Sequence, residues 1–245
     1  MIPDIGQIPG DIMVAGVALV GATVSGLSGF AFGLVVLGLW LQVLPPVIAG
    51  PMVVICSLVV QTMSLGAVRH ALKWDRLLPF LVPGLLAVPL GVWLLPRIDP
   101  ALFRRGVGAI LILYSLYQLA GPWKPFTWGG KGLDAVIGAI GGAMGGLAGL
   151  SGAVPMPWTF LRGWPKDEAR AVYQPFNMAM QAAALAGMLA YGSIGRAHAY
   201  YALICLPGLV LGGLLGLWLY RRVNETWFRR IVLWLLLASG LGLMI

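Results

Sequence analysis

Charge is scarce in this sequence. Asp, Glu, Lys and Arg together make up only 10% of its 245 residues, where a soluble domain carries about 25%. With 60% hydrophobic residues and a mean hydropathy of +0.91, that scarcity excludes a soluble globular chain. The longest polar connections run to only about a dozen residues, which leaves no room for a sizeable soluble domain. The class is an all-α polytopic membrane protein, because isolated helices satisfy their own backbone groups in lipid.

Other absences narrow the chemistry. There are two cysteines, Cys56 and Cys205, both inside apolar runs, where packing is the expected role rather than a disulfide. No Cys/His cluster offers a metal site, and no Gly-x-x-x-x-Gly-Lys-Ser/Thr stretch offers a phosphate loop, so no cofactor is expected. The predicted spans hold no Lys and no carboxylate near mid-depth, Asp134 standing at a span edge. A cation carrier or proton pump usually keeps a buried carboxylate. Met1 to Asp11 has Asp4 and Asp11 but no Lys or Arg, so it lacks the basic region of a signal peptide. The first apolar run is expected to be a retained span. The 16 Lys and Arg against 8 Asp and Glu are scattered through short loops, as orientation in a membrane requires, and not clustered for a nucleic-acid partner.

What is present is a repeated interruption. Gly26-Leu27-Ser28-Gly29 returns unchanged as Gly149-Leu150-Ser151-Gly152. Glycine costs about 1 kcal/mol relative to Ala inside a helix, and lipid cannot satisfy a serine hydroxyl. The run Ile12–Leu44 would span about 50 Å as one helix, too long for one crossing and short for two. The cluster is expected to divide it into two short arms, and Leu133–Leu161 to be divided likewise by the second copy with Pro155 and Pro157. Further pairs keep the same order along the two halves. Pro45, Ala49, Ser57 and Gln61 fall opposite Pro165, Ala169, Asn177 and Gln181, and Phe103-Arg104-Arg105 matches Phe228-Arg229-Arg230. The expected organisation is a first transmembrane repeat over 1–120, a Pro/Gly-rich linker over 121–132 and a second repeat over 133–245, together forming one transport domain.

Loop charge chooses between two topologies. If each broken run is one crossing, eight spans place six basic residues (Arg69, Lys73, Arg76, Lys124, Lys131, Arg196) opposite the remaining ten. If each is a hairpin, full or re-entrant, only Arg97, Arg104, Arg105 and Arg196 oppose the remaining twelve. The positive-inside rule favours the second arrangement. Each repeat then has about five helical segments, the first two short and broken or re-entrant, and the odd number inverts one repeat relative to the other. Both termini would face the periplasm.

The polar residues inside the spans are the candidate site. Broken helices expose N–H groups that favour an anion, so Gly26, Ser28, Gly29, Gly149, Ser151 and Gly152 are candidate substrate contacts. Close packing through small residues is the plainer alternative. Ser57 and Gln61, like Asn177 and Gln181, are four apart on one helix face. They either join helices or donate to an anion, with Tyr173 and Gln174 as neighbours. Arg69, His70 and Arg170 stand at span mouths, as membrane-edge anchors or a basic gate. A proton is left open as co-substrate, with His70 the candidate group. A Gly-x-Ser-Gly motif also occurs in rhomboid-type intramembrane serine proteases. Yet both histidines, His70 and His198, lie in loops away from the serines, so no enzyme is expected. An anion channel is a further alternative.

The stretch Gly149-Leu150-Ser151-Gly152-Ala153-Val154-Pro155-Met156-Pro157, the loop Arg162 to Ala171 and the Phe-Arg-Arg before each last span give the chain a family likeness. It resembles the sulfite exporter TauE/SafE family, also called the toluene sulfonate uptake permeases, from about Val14 to Ile245. The resemblance implies a bacterial inner-membrane secondary carrier of sulfur-containing anions: sulfite, thiosulfate, or organosulfonates such as sulfoacetate. A site at mid-membrane depth between the repeats and alternating access would follow. The partners expected are the anion and the bilayer, with a homodimer left open.

Overall fold

The computed structural model describes residues 8–40, 43–94, 100–120, 129–148 and 151–244. Among these lie ten α-helices and one 3-10 turn, Arg69–Ala71, with no strand. The helices fall into two compact units, Met1–Ser64 with Leu185–Arg221, and Leu65–Ala184 with Arg222–Ile245.

The first unit contains α1 (Ile8–Ser28), α2 (Phe32–Trp40), α3 (Pro46–Leu65, to Ser64), the end of α8 and α9 (Arg196–Arg222, to Arg221). α1 stops where the repeated motif falls. Gly29 adopts φ 83°, a left-handed conformation that costs a side chain about 1–2 kcal/mol, and its N–H closes on Ser25 O at 2.6 Å. After the turn α2 returns along α1. The indole Nε1 of Trp40 donates to Val14 O at 3.2 Å, and its ring meets Phe32 edge-on at 5.9 Å. α9 lies on α1 through Gly208, Gly212 and Gly216, one helix face at intervals of four. A Cβ at Gly208 would stand 3.0 Å from Ala15 O, and one at Gly212 or Gly216 would collide with Leu19 O or Thr23 O. Those glycines bring the backbones together where apolar bulk would hold them apart.

The second unit contains α4 (Trp74–Leu94), α5 (Pro100–Ala120), α6 (Gly130–Ala148), α7 (Pro155–Leu161), most of α8 (Lys166–Ala190) and α10 (Glu225–Met244). α4 crosses α6 at Gly84, Gly138 and Gly142, where any Cβ would strike the opposing backbone or Phe176. Leu77, Phe80, Val88, Val172, Phe176 and Met180 form the core beside that crossing. α5 runs against α10, with Gly240 over Gly108.

One expectation is corrected. Two short arms were expected in each broken run, but α1 has 21 residues and α6 has 19. Only the second arms are short, α2 with nine residues and α7 with seven. At 1.5 Å per residue these reach about 14 and 10 Å, well under a bilayer core of about 30 Å. The asymmetry arises because α1 begins already at Ile8, so the glycine break falls at the end of a full-length helix. Gly10–Ser28, Val47–Leu65 and Arg196–Arg222 are long and apolar enough to cross a membrane. Large apolar side chains also cover the outer faces, among them Leu86, Leu113, Tyr117, Leu203 and Leu211.

Candidate functional site

The predicted site residues divide between the units. In the first, Ser28, Ser57 and Gln61 are all fully buried. Ser28 Oγ accepts the N–H of Ala31 at 3.3 Å, capping the entry to α2. Gly26 sits against α9, where a Cβ would lie 2.7 Å from Gly213 O. Gly29 holds the turn. Ser57 Oγ has no hydrogen-bond partner among the described residues, and neither has Ser25 Oγ, one turn before the break. Ser25 was not legible as a candidate, because one serine in an apolar helix carries no signal until its surroundings are known. Cys56 and Cys205 are both buried in the hydrophobic cluster of this unit, in thiol contact with each other and not bonded as a disulfide.

In the second unit the break lies between α6 and α7. Gly149 falls outside the described residues. Ser151, fully buried in the turn, donates its hydroxyl to Asn177 Oδ1 on α8. α6 comes close enough that a Cβ at Gly145 would be 3.0 Å from Ser151 Cβ. Gly152 O accepts the N–H of Met156 at 3.2 Å, starting α7. α8 then carries Arg170, Tyr173, Gln174, Asn177 and Gln181, all buried, on a single helix face. Arg170 is fully buried, and its Nε donates to Gln174 Oε1 at 2.7 Å. The structure thus pairs Ser151 with Asn177 and Arg170 with Gln174 along one buried polar seam of α8.

The three gate candidates separate. Arg69 and His70 are exposed on the 3-10 turn, whereas Arg170 is interior. Beside His70 lies a polar clasp that sequence reasoning missed. Glu168 takes both Lys73 Nζ, at 2.9 Å, and Arg76 Nη1, and His70 Nε2 stands 3.7 Å from Asp167. The bond from Lys73, helped by the charge of Arg76, holds the Glu168 carboxyl below its ordinary range against the opposing effect of burial. Trp164 lies under the guanidinium groups of Arg76 at 4.9 Å and Arg162 at 5.8 Å. Asp134 accepts from Trp158 Nε1 at 2.7 Å and faces Arg162 at 3.8 Å. Loop charges far apart in sequence carry no mutual pattern, so only folding reveals such pairs.

Ser151 is paired with an amide and not with a base. Ser151 gives its proton to an amide oxygen, which cannot act as a general base at neutral pH. His198 accepts from Gly195 N at 3.0 Å through Nδ1, which leaves Nε2–H to donate to Val47 O at 3.2 Å. His70 faces Asp167.

The chain is 27% identical over 203 residues to the probable inner membrane transporter protein TsaS of Comamonas testosteroni. That match covers 79% of this chain and 82% of the relative. No solved structure matches. The pattern of the sulfite exporter TauE/SafE family matches residues 13–243. With nearly its whole length matched, and with glycine-interrupted apolar helices and a buried donor seam in place, the chain belongs to the sulfite exporter TauE/SafE family of membrane transporters.

Proposed function

We propose that this protein is a secondary transporter of small sulfur-containing anions, sulfite, thiosulfate or organosulfonates such as sulfoacetate, in a bacterial inner membrane. The observation that carries the reading is the seam on α8, where a fully buried arginine stands with Gln174, Asn177 and Ser151. An arginine inside a membrane helix is retained where it meets an anion or a water-filled path. Its planar fork of donors suits a sulfonate or sulfite oxygen pair. Neutral amides and hydroxyls beside it add donors without charge repulsion. The family's printed description, sulfite exporter, supports the same substrate class.

Transport proceeds by alternating access around a site between two inverted repeats, with both termini in the periplasm and a proton as candidate co-substrate. The exchange of fourth helices supports the repeat. α9, from the second half of the sequence, packs on α1 within the first unit, and α4, from the first half, packs on α6 within the second. Proteoliposomes loaded with radiolabelled sulfite, with and without an imposed pH gradient, test the proposal. Saturable flux competed by organosulfonates is expected. Flux that never saturates would instead identify a channel, and absence of flux for every sulfur oxyanion would overturn the substrate class.

A further inference from the structure

Several serine and threonine hydroxyls described in this protein, exposed and buried alike, are satisfied locally, whereas Ser25, Ser57 and Ser115 are buried without a described partner. Thr23 and Thr62 donate to the carbonyls four residues back, Leu19 O at 2.9 Å and Leu58 O at 2.7 Å. Ser64 donates to Gln61 O, Thr159 to Met156 O and Ser151 to Asn177, while Ser28 caps α2. Back-bonding of this kind is the default for a helical hydroxyl that lacks water. Ser25 and Ser57 break the pattern within the same helices that hold Thr23 and Thr62. Both are fully buried, and neither hydroxyl has a partner among the described residues. An unmet buried polar group costs about 1–3 kcal/mol. Two such groups flank one structural feature. Ser25 O receives the N–H of Gly29 at the helix break. Ser57 lies one turn beyond Val53, whose methyl would be 2.9 Å from a Cβ at Gly33 on the returning arm α2.

Resting on the anion-transport reading above, we propose that the hydroxyls of Ser25 and Ser57 bind the substrate's oxygens at a subsite within the first unit, additional to the Arg170 seam, and that the substrate is a singly charged sulfur oxyanion such as hydrogensulfite, which excludes the dianions thiosulfate and sulfoacetate. The charge follows from what surrounds them. Helices α1 to α3 contain no Lys, Arg or His, Asp11 being their one charged residue, and the basic residues of α9 stand at its ends, Arg196 and His198 at its start and Arg221 at its close, away from Gly213 and Gly216 where it meets Gly26. A site of neutral donors compensates one delocalised negative charge far better than two, because desolvating a dianion needs a countercharge. A hydroxyl also accepts a hydrogen bond, which suits a protonated sulfite or the polar end of an organosulfonate.

The experiment uses the full chain, purified and reconstituted, with Ser25→Ala, Ser57→Ala, Ser25→Thr, Ser57→Thr and Ser115→Ala. Ser115, buried and equally without a described partner on α5, is the control. Each alanine at 25 or 57 is expected to raise the KM for sulfite about tenfold or more. Threonine restores most of that loss, and Ser115→Ala stays near wild type. Methanesulfonate should compete with sulfite, and sulfate should not. Without anion, the melting temperature of Ser25→Ala and Ser57→Ala should equal or exceed wild type, since no protein hydrogen bond is lost. Wild-type KM in both alanine variants overturns the hydroxyl assignment while leaving transport standing. Alanine variants that melt lower than wild type without anion assign the hydroxyls a structural role and overturn it too. Sulfate competing as well as methanesulfonate overturns the single-charge assignment. Wild type silent toward every sulfur oxyanion overturns the transport reading itself, and this inference with it.

Discussion

Arg170 shows how far one residue's meaning depends on depth. In sequence it closes a polar loop, where a membrane-edge anchor is a more natural reading than a gate. In the structure it is fully buried on the second turn of α8, with its Nε on Gln174. A buried guanidinium is expensive unless its donors are met, so the residue belongs to the donor seam. Arg170→Lys keeps the charge but loses the planar fork, and should lower kcat/KM for sulfite at least about tenfold. Arg170→Met should abolish measurable flux while the protein still inserts. Initial rates in proteoliposomes, beside insertion checked by carbonate extraction, measure both. Ser28 and Ser151 make the complementary point. Within the same four-residue motif, one caps a helix and the other hands its proton to Asn177.

At the scale of elements, glycine decides which helices meet. A Cβ at Gly142 would strike the Gly84 carbonyl, a backbone atom that no rotamer can move. Gly142→Val should therefore force α4 from α6 at a cost of about 1–3 kcal/mol or more, read as a lower melting temperature in detergent than the same change at exposed Gly132. The start of α8 is tied to α4 by Glu168 with Lys73 and Arg76. Because the Glu168 carboxyl is held below its ordinary range, its stabilisation is complete above the unfolded value of about 4.3 and is lost as pH falls through the folded value. Glu168→Gln should thus melt lower than wild type by a constant margin from neutral pH down to about 5, and the two should converge in stronger acid. The margin should be small, under about 1 kcal/mol, because the pair is partly exposed. Thermal unfolding over a pH series checks the shape.

For the whole molecule, orientation is the open quantity that charge alone predicts. Reporter fusions at Arg69–Arg76 and at Tyr220–Arg230 should both report the cytoplasm, as expected for inverted halves with basic loops on one side. Opposite sides for the two would remove the hairpin topology. Composition alone settled that this is a helical membrane chain, because no soluble fold tolerates so much apolar surface with so little charge. The repeated Gly-Leu-Ser-Gly located the first break correctly, since only glycine reaches the left-handed turn at residue 29 cheaply. Family membership was legible too, from motifs spread along the whole length. Tertiary structure decided the rest. It made α1 and α6 long and only α2 and α7 short, and it grouped α9 with α1 and α4 with α6. It also buried Arg170, exposed His70, paired Glu168 with two distant cations and left Ser25 and Ser57 without described partners. The physical reason is one of range. Apolarity and backbone preference are properties of a residue and its near neighbours, whereas burial, pairing and hydrogen-bond satisfaction belong to groups that chain folding brings together.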